Sequence, residues 1–327
     1  MEKRDLSGVV GCSVAQVILG VSVPLTRGIV DYPVMTGQAV RYALAAAALG
    51  LLVRVRFGEL ASRTGRQSGE LARLPDRRRW PSRRELLAVL GVAVTGLVGF
   101  NLCMVTAVRH ADPAVVGTIV GAAPLGLAFL GPVMRRQRPT ARIVTAAGMI
   151  VAGTALVHGF GQADAVGTLA ALGTLAGEIA FSVFAAMALP RLGAVRVSAY
   201  SCALAVPLLV VGAVASGEVP RMPTAVEAAT FAYLAVMLTV VAFVLWFSGL
   251  MRLGVARAGL FVGLAPVAAI VTASIQDGRW PVPAQAFGVL VVALALTFGL
   301  ARRPTGPAAG ESADDAVRSR TPTVRTG

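Results

Sequence analysis

Charge is scarce in this chain: only 14% of its 327 residues are Asp, Glu, Lys or Arg, where soluble domains carry about 25%. With 56% apolar residues alongside, the polar surface is too small to cover an ordinary soluble globule. Histidine occurs twice, as His110 and His158, and there is no HExxH, no GxSxG and no phosphate loop, so nothing in the sequence favours catalysis. Cysteine occurs three times, and Cys12, Cys103 and Cys202 lie in different apolar stretches without a CxxC or a neighbouring histidine. That argues for small buried residues and against a redox or metal centre, and no cofactor is expected.

Long apolar runs are abundant. They fall near 6 to 29, 33 to 53, 85 to 108, 112 to 134, 140 to 158, 166 to 189, 197 to 216, 225 to 249, 254 to 276 and 282 to 301. Each approaches the roughly 20 residues that cross the hydrocarbon of a bilayer, and unbroken apolarity separates them from half-polar soluble helices. Open sheet edges are excluded in lipid. The expected fold class is therefore an all-α integral membrane protein of ten transmembrane helices. The first run follows Lys3 and Arg4 but is long enough to span, and reads as a retained helix.

The net charge of +14 lies between the apolar runs, where it sets topology and argues against nucleic acid as a partner. With both termini cytoplasmic, the inner segments hold 25 basic residues, ten of them arginines from Arg54 to Arg84. The outer segments keep only four: Arg27, Arg109, Arg221 and Arg279. This asymmetry supports that orientation. Residues 54–84 and the tail 302–327 are too poor in large apolar groups to pack, and are expected to be disordered in the cytoplasm. The basic segment reads as a stop signal resting on anionic headgroups, with a protein partner as the alternative.

The sequence VGAAP at 120–124 returns as VGLAP at 262–266, and Pro139 and Pro281 keep the same offset of 142 residues. The two copies occupy the fourth helix of the first five and the fourth helix of the second five. Because five is odd, the second copy enters the membrane from the opposite face, giving inverted repeats at 1–160 and 161–301. That is a recurrent architecture of secondary transporters. At these residues, in YPVMTGQAVRY from Tyr32 to Tyr42 and in LWFSGLMRLGVARAGLFVGLAP from Leu245 to Pro266, the chain resembles the drug/metabolite transporter superfamily in its ten-helix EamA-type branch. The resemblance covers roughly residues 8 to 301. It implies a permease of small metabolites, amino acids or drugs, often an exporter, without ATP hydrolysis.

Two ionisable side chains lie far inside spans, Arg41 and Glu178. Each costs about 2.5 to 3.5 kcal/mol to insert and so points to function. Arg41, eight residues past Pro33, sits about 12 Å deep; a counter-ion to Glu178, a ligand of backbone carbonyls and a substrate contact are its three readings. Thr174, Glu178 and Ser182 recur every four residues on one helical face. Gln16 lies in a similar stripe with Ser13, Gly20 and Pro24, and Asn101 and Trp246 complete the candidate set. Hydroxyl and glycine positions of this kind also serve close helix packing. Gly121, Pro124, Gly263 and Pro266 are candidate hinges, since proline removes a helical hydrogen bond.

The expectation is a multi-pass secondary transporter of the bacterial plasma membrane that moves a small-molecule solute. Glu178 would exchange a proton for a solute cation. Lipid is the surrounding partner, and a second copy of the chain stays open as another. The alternative is a non-transport membrane protein: a sensor, an assembly factor or an intramembrane enzyme.

Overall fold

A computed structural model describes residues 3–29, 31–64, 81–159, 161–278 and 280–301, with backbone alone for 3, 4, 27 and 56–64. Among the described residues nine helices are long and apolar enough to cross a membrane. They are α1 (Lys3–Leu25), α2 (Val34–Thr64), α3 (Arg83–His110), α4 (Pro113–Met134), α5 (Ala141–His158), α6 (Ala165–Ala215), α7 (Ala225–Leu253), α8 (Val255–Asp277) and α9 (Pro283–Leu300). Ala111 and Ala163 form an isolated β-bridge, the one extended pairing among those residues. Between 28% and 44% of each span's apolar window is buried within the protein. The rest of that apolar surface needs lipid, and the chain is a multi-pass membrane protein.

Ten helices were expected and nine elements are seen. The difference lies in α6, where the runs near 166–189 and 197–216 join into one element of 51 residues. At Gly193 φ is 74° and ψ is 165°, a conformation open to glycine because it has no Cβ to clash. Helix continues on both sides of that break. The segment 54–84, expected to be unstructured, is helical as far as Thr64 and again from Arg83, after Ser82 caps α3. Residues 65–80 and the tail 302–327 lie outside the described residues.

Local features of the two halves keep the 142-residue spacing. Ser82 and Glu85 form a capping box at the start of α3, and Thr224 and Glu227 form one at the start of α7. In each the hydroxyl and the carboxylate satisfy two orphan backbone N–H groups. Each helix then contains a π-helical stretch, Val92–Gly99 in α3 and Leu234–Val241 in α7. In α4 a turn at Gly121 and Ala122 precedes Ala123–Met134, and in α8 a 3-10 turn Leu260–Gly263 precedes Leu264–Asp277. Pro124 and Pro266 thus fall in the first turn of a restarted helix, where a missing N–H costs nothing.

All nine helices feed one core, through Cys12, Tyr42, Val92, Leu127, Ile150, Leu189, Phe247, Leu260 and Val292. Close crossings depend on small residues. A Cβ at Gly288 would lie 2.6 Å from the Gly153 carbonyl oxygen, which sets how closely α5 and α9 approach. Helix α1 packs on α7 and α8, while α2 and α3 pack on α6. The gap left between α1, α2, α3, α6 and α7 is the site.

Candidate functional site

That gap is a cavity of about 170 Å³. Gln16, Arg41, Asn101, Glu178, Ser182 and Trp246 all line it, so six of the seven candidate substrate or coupling residues meet in one place from five helices. Thr174 does not line it: the residue is fully buried and its hydroxyl donates to the Ala170 carbonyl at 3.0 Å. The hinge candidates Gly121, Pro124, Gly263 and Pro266 lie outside the lining, at the breaks in α4 and α8.

Arg41 is 8% exposed. Its Nη2 donates to the Tyr42 hydroxyl at 2.6 Å, and its guanidinium carbon stands 4.4 Å from the centre of the Tyr42 ring. Asn101 donates to the same hydroxyl at 3.2 Å and to the Leu97 carbonyl at 2.6 Å. The counter-ion reading of Arg41 is therefore not the arrangement found. Its partner is a neutral phenol, and no salt bridge joins Arg41 to Glu178 among the described residues. Two polar atoms of lining residues, Arg41 Nε and Gln16 Oε1, are buried without a hydrogen-bond partner.

The remaining wall is apolar and aromatic, with Phe100, Phe181 and Phe243 beside Trp246. Sequence reasoning missed Tyr42, Phe181 and Phe243. An aromatic residue in an apolar run looks the same whether it faces lipid or a cavity, and the available signal was adjacency: Tyr42 follows Arg41, and Phe181 stands one turn past Glu178.

A carboxylate from a distant loop fixes the start of α2 and hence the depth of Arg41. Glu218 accepts from the Met35 and Thr36 N–H groups at 2.9 and 2.8 Å and from the Thr36 hydroxyl at 2.8 Å. Burial alone would raise its pKa; these hydrogen bonds outweigh that and hold the carboxyl below its ordinary value. Nearby, the Tyr32 hydroxyl donates to the Arg221 carbonyl, and Arg221 pairs with Glu227. Both histidines lie away from the cavity. His110 Nδ1 stands 2.9 Å from an Asp164 carboxylate oxygen, and the His158 ring lies beside Gly117. No cluster of His, Cys, Asp and Glu that would hold a metal occurs among the described residues.

Comparison with known proteins matches the EamA-like transporter family twice along the chain, at residues 6–159 and 166–300. Among individual proteins, the uncharacterized transporter YdeK of Bacillus subtilis (strain 168) is 28% identical over 206 residues, 61% of this chain and 70% of that protein. The uncharacterized transporter YetK of the same organism is 21% identical over 286 residues, covering 84% and 80%. A solved crystal structure superposes with a TM-score of 0.69 at 19% identity, over 90% of this chain and 96% of the other. That last likeness concerns the fold.

Proposed function

We propose, from the fact that this chain belongs to the EamA-like transporter family, that it is a secondary transporter which carries a small solute across a bacterial plasma membrane. The solute occupies the cavity between α1, α2, α3, α6 and α7, and alternating access exposes it to each side in turn. One observation carries this reading: Arg41 Nε and Gln16 Oε1, each buried and unpartnered, belong to residues that line the same cavity as Glu178. A buried donor or acceptor without a partner costs about 1–3 kcal/mol. A solute that brings its own polar groups relieves that cost, while the aromatic wall takes its apolar part.

On this reading the solutes are small metabolites, amino acids or drugs, and the direction is export. Glu178 is the site where a proton and a solute cation exchange. The halves of α6 on either side of Gly193 count as two crossings, making ten, and the halves of the chain are inverted repeats with both ends in the cytoplasm. The constant 142-residue spacing of caps, π stretches and helix breaks supports the repeat.

The test is a metabolite screen of cells with and without the protein, followed by reconstitution with the solute it finds. Glu178→Gln keeps the shape of the side chain and holds it neutral, so accumulation against a gradient should be lost while downhill exchange continues. If the variant still concentrates solute with unchanged pH dependence, Glu178 is structural. If no solute moves with the native protein, the transport reading itself fails.

A further inference from the structure

A second cavity, of about 460 Å³, lies further along α6 and α7, two of the five helices that wall the first. On α6 the central cavity takes Glu178, Phe181 and Ser182, and the second takes Ala186, Leu189 and Pro190. On α7 the order is the same: Phe243 and Trp246 in the first, Leu250 and Met251 in the second. The second cavity reaches Arg135 at the end of α4, so it opens toward the end of the bundle where the Arg135–Arg142 loop lies.

Phe247 lies in the interval on α7, and Phe181 and Phe243, on the wall of the central cavity, pack against it. The Phe181 ring is 5.3 Å from that of Phe243 and 5.2 Å from that of Phe247, and Phe243 and Phe247 are 5.8 Å apart. Phe181 and Phe243 face the central cavity, while Phe247 is fully buried and lines neither. Tilted rings at these distances attract one another, so the three side chains form one apolar cluster. The cluster itself rides on α-helical backbone, but it is flanked by two stretches that depart from α geometry. Phe181 rests on Gly96, inside the π stretch of α3, where an added Cβ would stand 2.6 Å from the Phe181 Cβ. Phe243 lies two residues beyond the π stretch of α7. A π stretch carries one residue more than the α-helical turn it replaces and recurs at functional sites. Both helices therefore hold slack beside the cluster.

We propose that Phe181, Phe243 and Phe247 form the movable barrier between the central cavity and the cavity at the Arg135 end, and that the solute passes there. The proposal rests on the transport reading above, but its test needs no solute. In protein with Cys12, Cys103 and Cys202 replaced, Leu19→Cys places a reporter on the central cavity wall, and Arg138→Cys, at an exposed position, marks the side to which the second cavity opens. Vesicles of both orientations are treated with a membrane-impermeant maleimide.

With the barrier intact, Leu19→Cys reacts slowly from the Arg138 side. Phe181→Ala and Phe243→Ala should each raise that rate about tenfold, because the reaction follows the population of the open path. Phe181→Leu, which retains bulk, should leave it within about twofold. An unchanged rate in both alanine variants overturns the barrier. Equal acceleration from both sides also overturns it, since that reports loosened packing in place of an opened path. A native protein that moves no solute would instead sink the transport reading and leave these rates as they are.

Discussion

Arg41 shows how a costly side chain is held in a membrane interior with a phenol, and no carboxylate among the described residues, as its partner. Its charge is spread over a guanidinium stacked on the Tyr42 ring and hydrogen-bonded to the Tyr42 hydroxyl, which Asn101 also approaches as a donor. Two donors converge on one phenolic oxygen, so that oxygen organises one wall of the cavity. Tyr42→Phe keeps the ring and deletes the acceptor, leaving two donors short of a partner at about 1–3 kcal/mol. Thermal unfolding in detergent should show a lower midpoint for Tyr42→Phe than for the native protein. Asn101→Leu in the Tyr42→Phe background should cost less than Asn101→Leu alone, because their shared bond is already gone. Additive effects would mean that the two residues do not act as a unit. The isolated charges Arg41 and Glu178 are conspicuous in sequence as ionisable residues within apolar runs, whereas Tyr42 becomes conspicuous only when α2 and α3 meet.

The helices owe their ends to chemistry both near and far. Ser82 with Glu85 and Thr224 with Glu227 are local capping boxes that sequence spacing can reveal. The start of α2 has no such local device, since the Pro33 side chain carries no acceptor, and Glu218 supplies one from the far side of the chain. Glu218→Ala should therefore cost about 1 kcal/mol at neutral pH, as loss of a helix N-cap does. The sign of the pH effect follows from the lowered pKa of this carboxyl. Its contribution is complete above the unfolded-state pKa and disappears as pH falls through the lower, folded-state value. The gap in melting temperature between native protein and Glu218→Ala should close on acidification over that interval. A gap that stays constant down to pH values where all carboxylates are protonated would show that the carboxylate charge is not what holds the cap. Arg191, which pairs with Glu85 at 3.3 Å beside the Gly193 break, ties α3 to α6 in a similar long-range way.

At the scale of the whole molecule, the arginine asymmetry and the proposed five-helix repeats make one statement about topology. Impermeant labels at Gly69 and in the tail should react only from the cytoplasm, and one at Asp277 only from outside; Gly69 reacting from outside would overturn the orientation. An experimental structure should superpose the first half on the second about an axis in the membrane plane, bringing Pro124 onto Pro266. A parallel relation between the halves would remove the basis for alternating access. Membrane class, the approximate position of the apolar runs and the paired motifs were legible in the sequence because apolarity over about 20 residues and a constant repeat offset are properties of a line, whereas the joining of two runs into one 51-residue element was not. Gln16, Arg41, Asn101, Glu178, Ser182 and Trp246 could be chosen one by one, as polar or amphipathic groups in apolar runs. Their convergence on one cavity, the exclusion of Thr174, the phenol in place of a carboxylate beside Arg41 and the aromatic cluster were decided by tertiary structure alone. The physical reason is that a membrane helix is largely apolar all round, so its few polar stripes mark a buried face without saying which neighbour that face meets. Only the packing of α1, α2, α3, α6 and α7 against one another makes that choice.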